Sequence, residues 1–224
     1  MSMDAPRNLT FTARLDCHYL LYTPEELTPR SLLVAALHGF GSTPEEMLRL
    51  TLNLLGEQHL IASIQGPNQF WASPKPDHVG FGWGANRHAE SSIRLHHEMV
   101  NYVLNQAGRE YAIPSARRIL AGFSQPVALN YRFAATFPDA VGGVIALCGG
   151  VPGNWEQGPF QQVRARVLHI ARSEDEYYPR EVAAKFPERL RLRAAEVEFH
   201  MIDGPHRFPS KAAPLVARWM KRLE

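Results

Sequence analysis

The stretch Leu120-Ala121-Gly122-Phe123-Ser124-Gln125-Pro126 limits what this chain can fold into more than any other. Ile119, Leu120 and Ala121 read as the end of a buried strand. After the serine, Val127, Leu129, Tyr131, Phe133, Ala134 and Phe137 fall on one helical face, so the backbone must reverse direction within about two residues of Ser124. A serine on so sharp a strand-to-helix turn is pushed outward at the end of a sheet, beside the unpaired N–H groups of a helix N-terminus. The letters alone say little: with glycine and serine each near one residue in about fourteen, a chain of this length holds roughly one GxS triplet by chance. The fifth position of the GxSxG pattern is Pro126 here, so the context of strand, turn and helix carries the argument.

That context repeats along the chain. Residues 31–37 are apolar on both faces, as a strand is when helices cover both sides. They end in His38-Gly39-Phe40-Gly41. Ser42 and Thr43 follow as candidate N-caps, with Pro44 in the first turn and Glu45 and Glu46 at the positive end of a helix reaching about residue 57. Further strands are expected over residues 60–64, 141–147, 167–170 and 197–202, with helices over 89–111, 180–192 and 210–223. Residues 9–14 and 18–22 are expected to form an antiparallel edge pair. Strands alternating with helices argue for a mostly parallel sheet with helices on both faces. The 66–88 interval, rich in Gly, Pro and aromatic residues including Pro74 and Pro76, reads as a long loop of the kind that has a task to perform.

Composition narrows the function classes. At 224 residues and 45 % hydrophobic content, the chain can bury a sizeable core and reads as one domain over 1–224. A net charge of +2 predicts no nucleic-acid partner, and Arg189, Arg191 and Arg193 read as a solvated helix face. Cys17 and Cys148 are expected to be buried free thiols in a reducing compartment. Arg7, Arg14, Asp16 and Pro24 interrupt the start of the chain, which argues against a signal peptide. No apolar run is long enough to span a bilayer, so a cytoplasmic protein is expected.

A serine hydroxyl needs a histidine within hydrogen-bond reach, and the histidine needs a carboxylate to fix its tautomer. In a parallel sheet such groups converge beyond the C-terminal strand ends. One such end carries Glu174, Asp175 and Glu176; another carries Asp203-Gly204-Pro205-His206. The chain order serine, acid, histidine resembles that of the α/β-hydrolase fold. Four pieces resemble the phospholipase/carboxylesterase family, which also contains acyl-protein thioesterases: Leu37-His-Gly-Phe-Gly41, Ala121-Gly-Phe-Ser-Gln125, Asp175-Glu-Tyr-Tyr-Pro179 and Gly204-Pro-His206. The resemblance covers the chain from about residue 33 to the end. It implies Ser124 as nucleophile, His206 as base, Asp175 as the group orienting it, and an oxyanion held by the backbone N–H groups of Phe40 and Gln125. It implies a small-molecule ester substrate, an acyl-enzyme, and neither metal nor cofactor. A thioesterase or acyl-protein hydrolase would use the same residues. Pro126 opens a third reading, a binding protein with a damaged oxyanion hole, because a residue before proline is biased away from the α region and Gln125 is that residue.

Several residues admit a second reading. Glu174, Glu176 and Asp203 rival Asp175. His38 is expected to brace the oxyanion loop, and Ser42 to cap a helix. His96-His97-Glu98 fails the HExxH zinc pattern, because Asn101 stands at its last position, and reads as helix surface. Trp71, Phe81 and Trp83 are candidates either for lining a substrate pocket or for filling a satellite core. The short interval between residues 148 and 166 predicts no sizeable cap domain. An open site of that kind favours small or soluble acyl esters.

Overall fold

A computed structural model of the chain describes residues 7–73, 78–85 and 87–223. The first strand, β1 (Tyr19–Tyr22), lies at one edge. It is followed by β2 (Leu33–Leu37), α1 (Pro44–Leu55), β3 (Leu60–Ile64), the hairpin strands β4 (Asn68–Trp71) and β5 (Val79–Gly82), and the long helix α2 (Ala89–Glu110). Then come β6 (Arg118–Phe123), α3 (Val127–Thr136), β7 (Gly143–Leu147), β8 (Arg166–Glu174), the short α4 (Arg180–Ala183) and α5 (Phe186–Arg191), β9 (Val197–Pro205) and α6 (Ala213–Met220). The main sheet has the order β1-β3-β2-β6-β7-β8-β9, parallel throughout except for β1.

The sheet is buried on both faces, and the two-residue period of its strands divides the core. Leu33, Ala35 and Leu37 of β2 join Val100 and Val103 of α2, Phe133 of α3 and Leu190 of α5 in one cluster. Val34 and Ala36 point the other way, to Met47 and Leu54 of α1 and Val216 and Trp219 of α6. Both layers are needed to cover near-continuous apolar strands such as β2, which leaves no residue exposed. Local signals set the ends of α1: Thr43 caps it by accepting from the Glu46 N–H at 3.2 Å, and Pro44 opens its first turn. Ser42 does not cap; its hydroxyl donates instead to the Glu46 carboxylate at 2.7 Å.

Several expectations need correction. Residues 9–14 form no strand; β1 pairs with β3 instead. The predicted long loop contains the β4–β5 hairpin, while its residues 74–77, with Pro74 and Pro76, and residue 86 lie outside the described residues. The helix expected over 180–192 is split into α4 and α5, with Pro187 in the first turn of α5. Cys17 is exposed, whereas Cys148 is buried. His96 and His97 are buried rather than on a helix surface, because that face of α2 packs on α3. Between β7 and β8 there is only irregular chain and one isolated bridge, Val163 to Ala194, so this crossover carries no cap.

Candidate active site

The turn after β6 is sharp because Ser124 takes a left-handed conformation, φ 62°, which costs a non-glycine residue on the order of 1–3 kcal/mol. Its N–H is held by the Leu147 carbonyl at 2.8 Å, and its carbonyl accepts from Val127 N–H at 3.2 Å. Gly149 makes this possible: a Cβ there would lie 2.3 Å from Cβ of Val127 and 2.6 Å from the Ser124 oxygen. Pro126 enters α3 at φ −74°, ψ −10°, within the range its ring allows, and its carbonyl accepts from Asn130 N–H at 2.8 Å. The left-handed strain therefore falls on Ser124 and not on Gln125.

Ser124, His206 and Asp175 form one hydrogen-bonded chain. Nε2 of His206 is 2.8 Å from the Ser124 hydroxyl, and Nδ1 is 2.7 Å from Oδ2 of Asp175. The other carboxylate oxygen of Asp175 accepts from the N–H groups of Tyr177 and Tyr178, both at 2.9 Å, and the residue is only 4 % exposed. Among the rivals, Glu176 accepts from the His206 backbone N–H at 3.1 Å, and Asp203 accepts from the Ser173 hydroxyl at 3.2 Å. Glu174 is exposed. The His206 ring is enclosed by aromatic side chains, with Tyr177, Phe123 and Tyr178 centred 4.8, 5.3 and 6.1 Å away. The turn that delivers it runs through Gly204 at φ 122°, a conformation open to glycine alone in practice.

Phe40 and Gln125 flank the serine, and among the described residues nothing accepts a hydrogen bond from either backbone N–H. His38 lies beneath them, fully buried. Its Nε2 accepts from Gly66 N–H at 2.9 Å, which makes Nδ1 the protonated nitrogen, donating to the Gly39 carbonyl at 2.7 Å. Burial pushes its pKa below the ordinary value, partly opposed by that backbone hydrogen bond.

A hollow of about 500 Å³ opens over the serine, walled by Phe40, Met47, Leu50, Phe123, Tyr177 and Phe208. None of Trp71, Phe81 and Trp83 lines it. Trp83 is fully buried, with its indole N–H donating to the His38 carbonyl at 2.8 Å; Phe81 sits edge-on to His38, and Trp71 is 70 % exposed on the hairpin. Of the aromatic residues that do line the hollow, Phe40, Phe123, Tyr177 and Tyr178 were within reach of the sequence, since they stand inside the motifs. Met47, Leu50 and Phe208 carried no such signal.

The family model for phospholipase/carboxylesterase matches residues 25–221. The chain belongs to that family. Among solved structures, the carboxylesterase of Bacillus cereus shares 14 % identity at a TM-score of 0.72, covering 93 % of this chain and 95 % of that one. A phospholipase/carboxylesterase from Dyadobacter fermentans shares 21 % at 0.67, over 94 % and 99 %. Arabidopsis thaliana SOBER1 shares 18 % at 0.71, over 86 % and 99 %. At such identities these likenesses establish the α/β-hydrolase fold. No curated protein matches the chain in sequence. No described helix is long and apolar enough to cross a membrane.

Proposed function

We propose that this family member hydrolyses carboxylic esters through an acyl-enzyme on Ser124. The observation that carries the reading is the unbroken relay from the Ser124 hydroxyl through both nitrogens of His206 to a buried Asp175. In the first half-reaction, His206 Nε2 takes the hydroxyl proton as Oγ bonds to the acyl carbon, and the carbonyl oxygen becomes an oxyanion. The N–H groups of Phe40 and Gln125, without an acceptor among the described residues, are the candidate donors to it. As the intermediate collapses, the imidazolium returns its proton to the departing alkoxide and the alcohol leaves. Water then attacks the acyl-enzyme, giving its proton to the same nitrogen, and Ser124 departs with that proton as the acid is released. Asp175 stabilises the imidazolium in both halves.

Two features support a modest apolar acyl or alcohol group. The hollow is walled mainly by apolar and aromatic side chains, and among the described residues no cap closes it. The helical geometry of Pro126 favours an enzyme over a binding protein, because the proline lacks an N–H only where the helix leaves donors free. The test is a panel of p-nitrophenyl esters and acyl thioesters from two to sixteen carbons. Short and medium oxygen esters should turn over best, and Ser124→Ala should remove the activity. A preference for thioesters would move the leaving group to sulfur on the same residues, and no turnover of any member would contradict the proposal.

A further inference from the structure

The two candidate oxyanion donors belong to different elements. Phe40 follows β2 and Gln125 follows β6; the two strands pair as far as Leu37 and Gly122, and beyond that point the β4–β5 hairpin and the residues just after it tie the two loops together. Phe81 of β5 accepts from Gly41 N–H at 2.9 Å and donates to the Ser42 carbonyl at 3.2 Å, so the Phe40 loop is stitched to β5 as an extra stretch of ladder. The approach is close: a Cβ on Gly80 would stand 2.7 Å from the Gly41 oxygen, and one on Gly82 would stand 3.2 Å from the Phe40 ring.

The two residues that continue the chain from β5, Trp83 and Gly84, are held by the side chain of Gln125. Its Oε1 accepts from Trp83 N–H at 2.9 Å, and its Nε2 donates to the Gly84 carbonyl at 2.9 Å. The orientation of this carboxamide is fixed by chemistry, since a backbone N–H only donates and a carbonyl only accepts. Glutamate would keep the first bond and set a negative oxygen against a carbonyl in place of the second. Trp83 completes the span, with its backbone bound to Gln125 and its buried indole donating to the His38 carbonyl, two residues before Phe40.

We infer that the side chains of Gln125 and Trp83 are positioning residues, which hold the backbone N–H of Phe40 and of Gln125 at a fixed separation by clamping both to β5 and the Trp83-Gly84 segment that continues it. The inference rests on the proposed serine esterase reading. It assigns the Gln125 side chain a task separate from that of its own N–H, and it makes the hairpin part of the machinery although no hairpin strand residue lines the hollow at the serine.

The test compares Gln125→Met, Gln125→Glu and Trp83→Phe with the parent on p-nitrophenyl butyrate, together with inhibition by an alkyl trifluoromethyl ketone, whose serine adduct carries an oxyanion. A lost positioning contact weakens stabilisation of the transition state more than binding of the ester. The expected result is a fall in kcat on the order of tenfold to a hundredfold with KM within about threefold, and a parallel loss of ketone affinity. Glutamate should rescue less than half of the methionine defect. Gln125→Met combined with Trp83→Phe should lose less than the product of the single losses, because both break one clamp. Unchanged kcat and ketone affinity in correctly folded variants would overturn the inference, as would strictly multiplicative losses. Should Gln125→Met or Trp83→Phe fail to fold, Gly80→Ala presses on the same seam from the hairpin side and should give the same kcat and ketone pattern. Full hydrolysis by Ser124→Ala would instead remove the underlying esterase reading. Loss in Ser124→Ala with no effect of the clamp variants would remove this inference alone.

Discussion

Replacing Asp175 by asparagine keeps the shape of the side chain and changes one thing, the direction of a proton. Oδ1 of Asp175 accepts from two backbone N–H groups, of Tyr177 and of Tyr178, at 2.9 Å each. Asparagine can meet both only by keeping its carbonyl oxygen at that position. Turning the amide over would set an NH2 against two N–H donors at a site that is 4 % exposed, leaving buried groups unpaired at about 1–3 kcal/mol each. The NH2 must therefore face Nδ1 of His206, now 2.7 Å from Oδ2, and Nδ1 can respond only by accepting. The ring proton moves to Nε2, where it points at the Ser124 hydroxyl and cannot take its proton. Losing the tautomer and the carboxylate's stabilisation of the imidazolium together should lower kcat by about 10³–10⁴-fold, roughly 4–5.5 kcal/mol of barrier. KM and melting temperature should stay near the parent's. The assay is steady-state hydrolysis of p-nitrophenyl butyrate, with Asp203→Asn as control, since the Asp203 carboxylate accepts from the Ser173 hydroxyl and makes no hydrogen bond to His206. A kcat for Asp175→Asn within tenfold of the parent, or an equal loss in the control, would mean that Asp175 does not set the His206 tautomer.

Gly204→Ala puts a Cβ at φ 122°, 3.2 Å from Nη1 of Arg172, two residues before His206; it should lower kcat at least tenfold and the melting temperature by several degrees in a thermal melt. Thr43→Ala removes the α1 cap at a cost of about 1 kcal/mol, seen as a shift of about 2–4 °C in melting temperature with kcat unchanged. Stability should fall with acid: burial depresses His96 and His169 to about 3, and His59 and His97 to about 4, so the folded chain keeps them neutral. The unfolded chain titrates them near the ordinary value, so stabilisation is full above about pH 6.5 and is lost as pH falls from there to about 4 for His59 and His97 and to about 3 for His96 and His169, by up to ~1.4 kcal/mol per pH unit for each histidine. Denaturant unfolding at pH 7 and pH 5 checks this, and equal stability at the two would count against it.

The parallel alternation could be read from the chain because central strands such as β2, β3 and β7 are apolar runs followed within two residues by glycine, and helix α1 announces itself through Thr43, Pro44 and two glutamates. The order of strands could not, since β2 crossing between β3 and β6 leaves no local trace. Residues 9–14 show a strand's alternation without a partner, and pairing is a tertiary property that alternation cannot supply. His96 and His97 misled for a related reason: polar letters suggested a solvated face, yet Asn130 of α3 meets His96 at 3.1 Å and makes its burial tolerable. At the candidate site, Ser124, Asp175 and His206 stood out through short motifs at strand ends. Trp83 did not, because whether an aromatic side chain faces a substrate or braces a loop depends on a hydrogen bond between residues 45 positions apart, His38 and Trp83.

The proposed esterase chemistry requires Ser124 to be a nucleophile activated by His206. Treating the protein with a fluorophosphonate and locating the adduct by peptide mass spectrometry tests it directly. The expected result is one stoichiometric adduct on Ser124, absent in Ser124→Ala and formed at least a hundredfold more slowly in His206→Ala. An unmodified Ser124, or a labelling rate indifferent to His206, would contradict it.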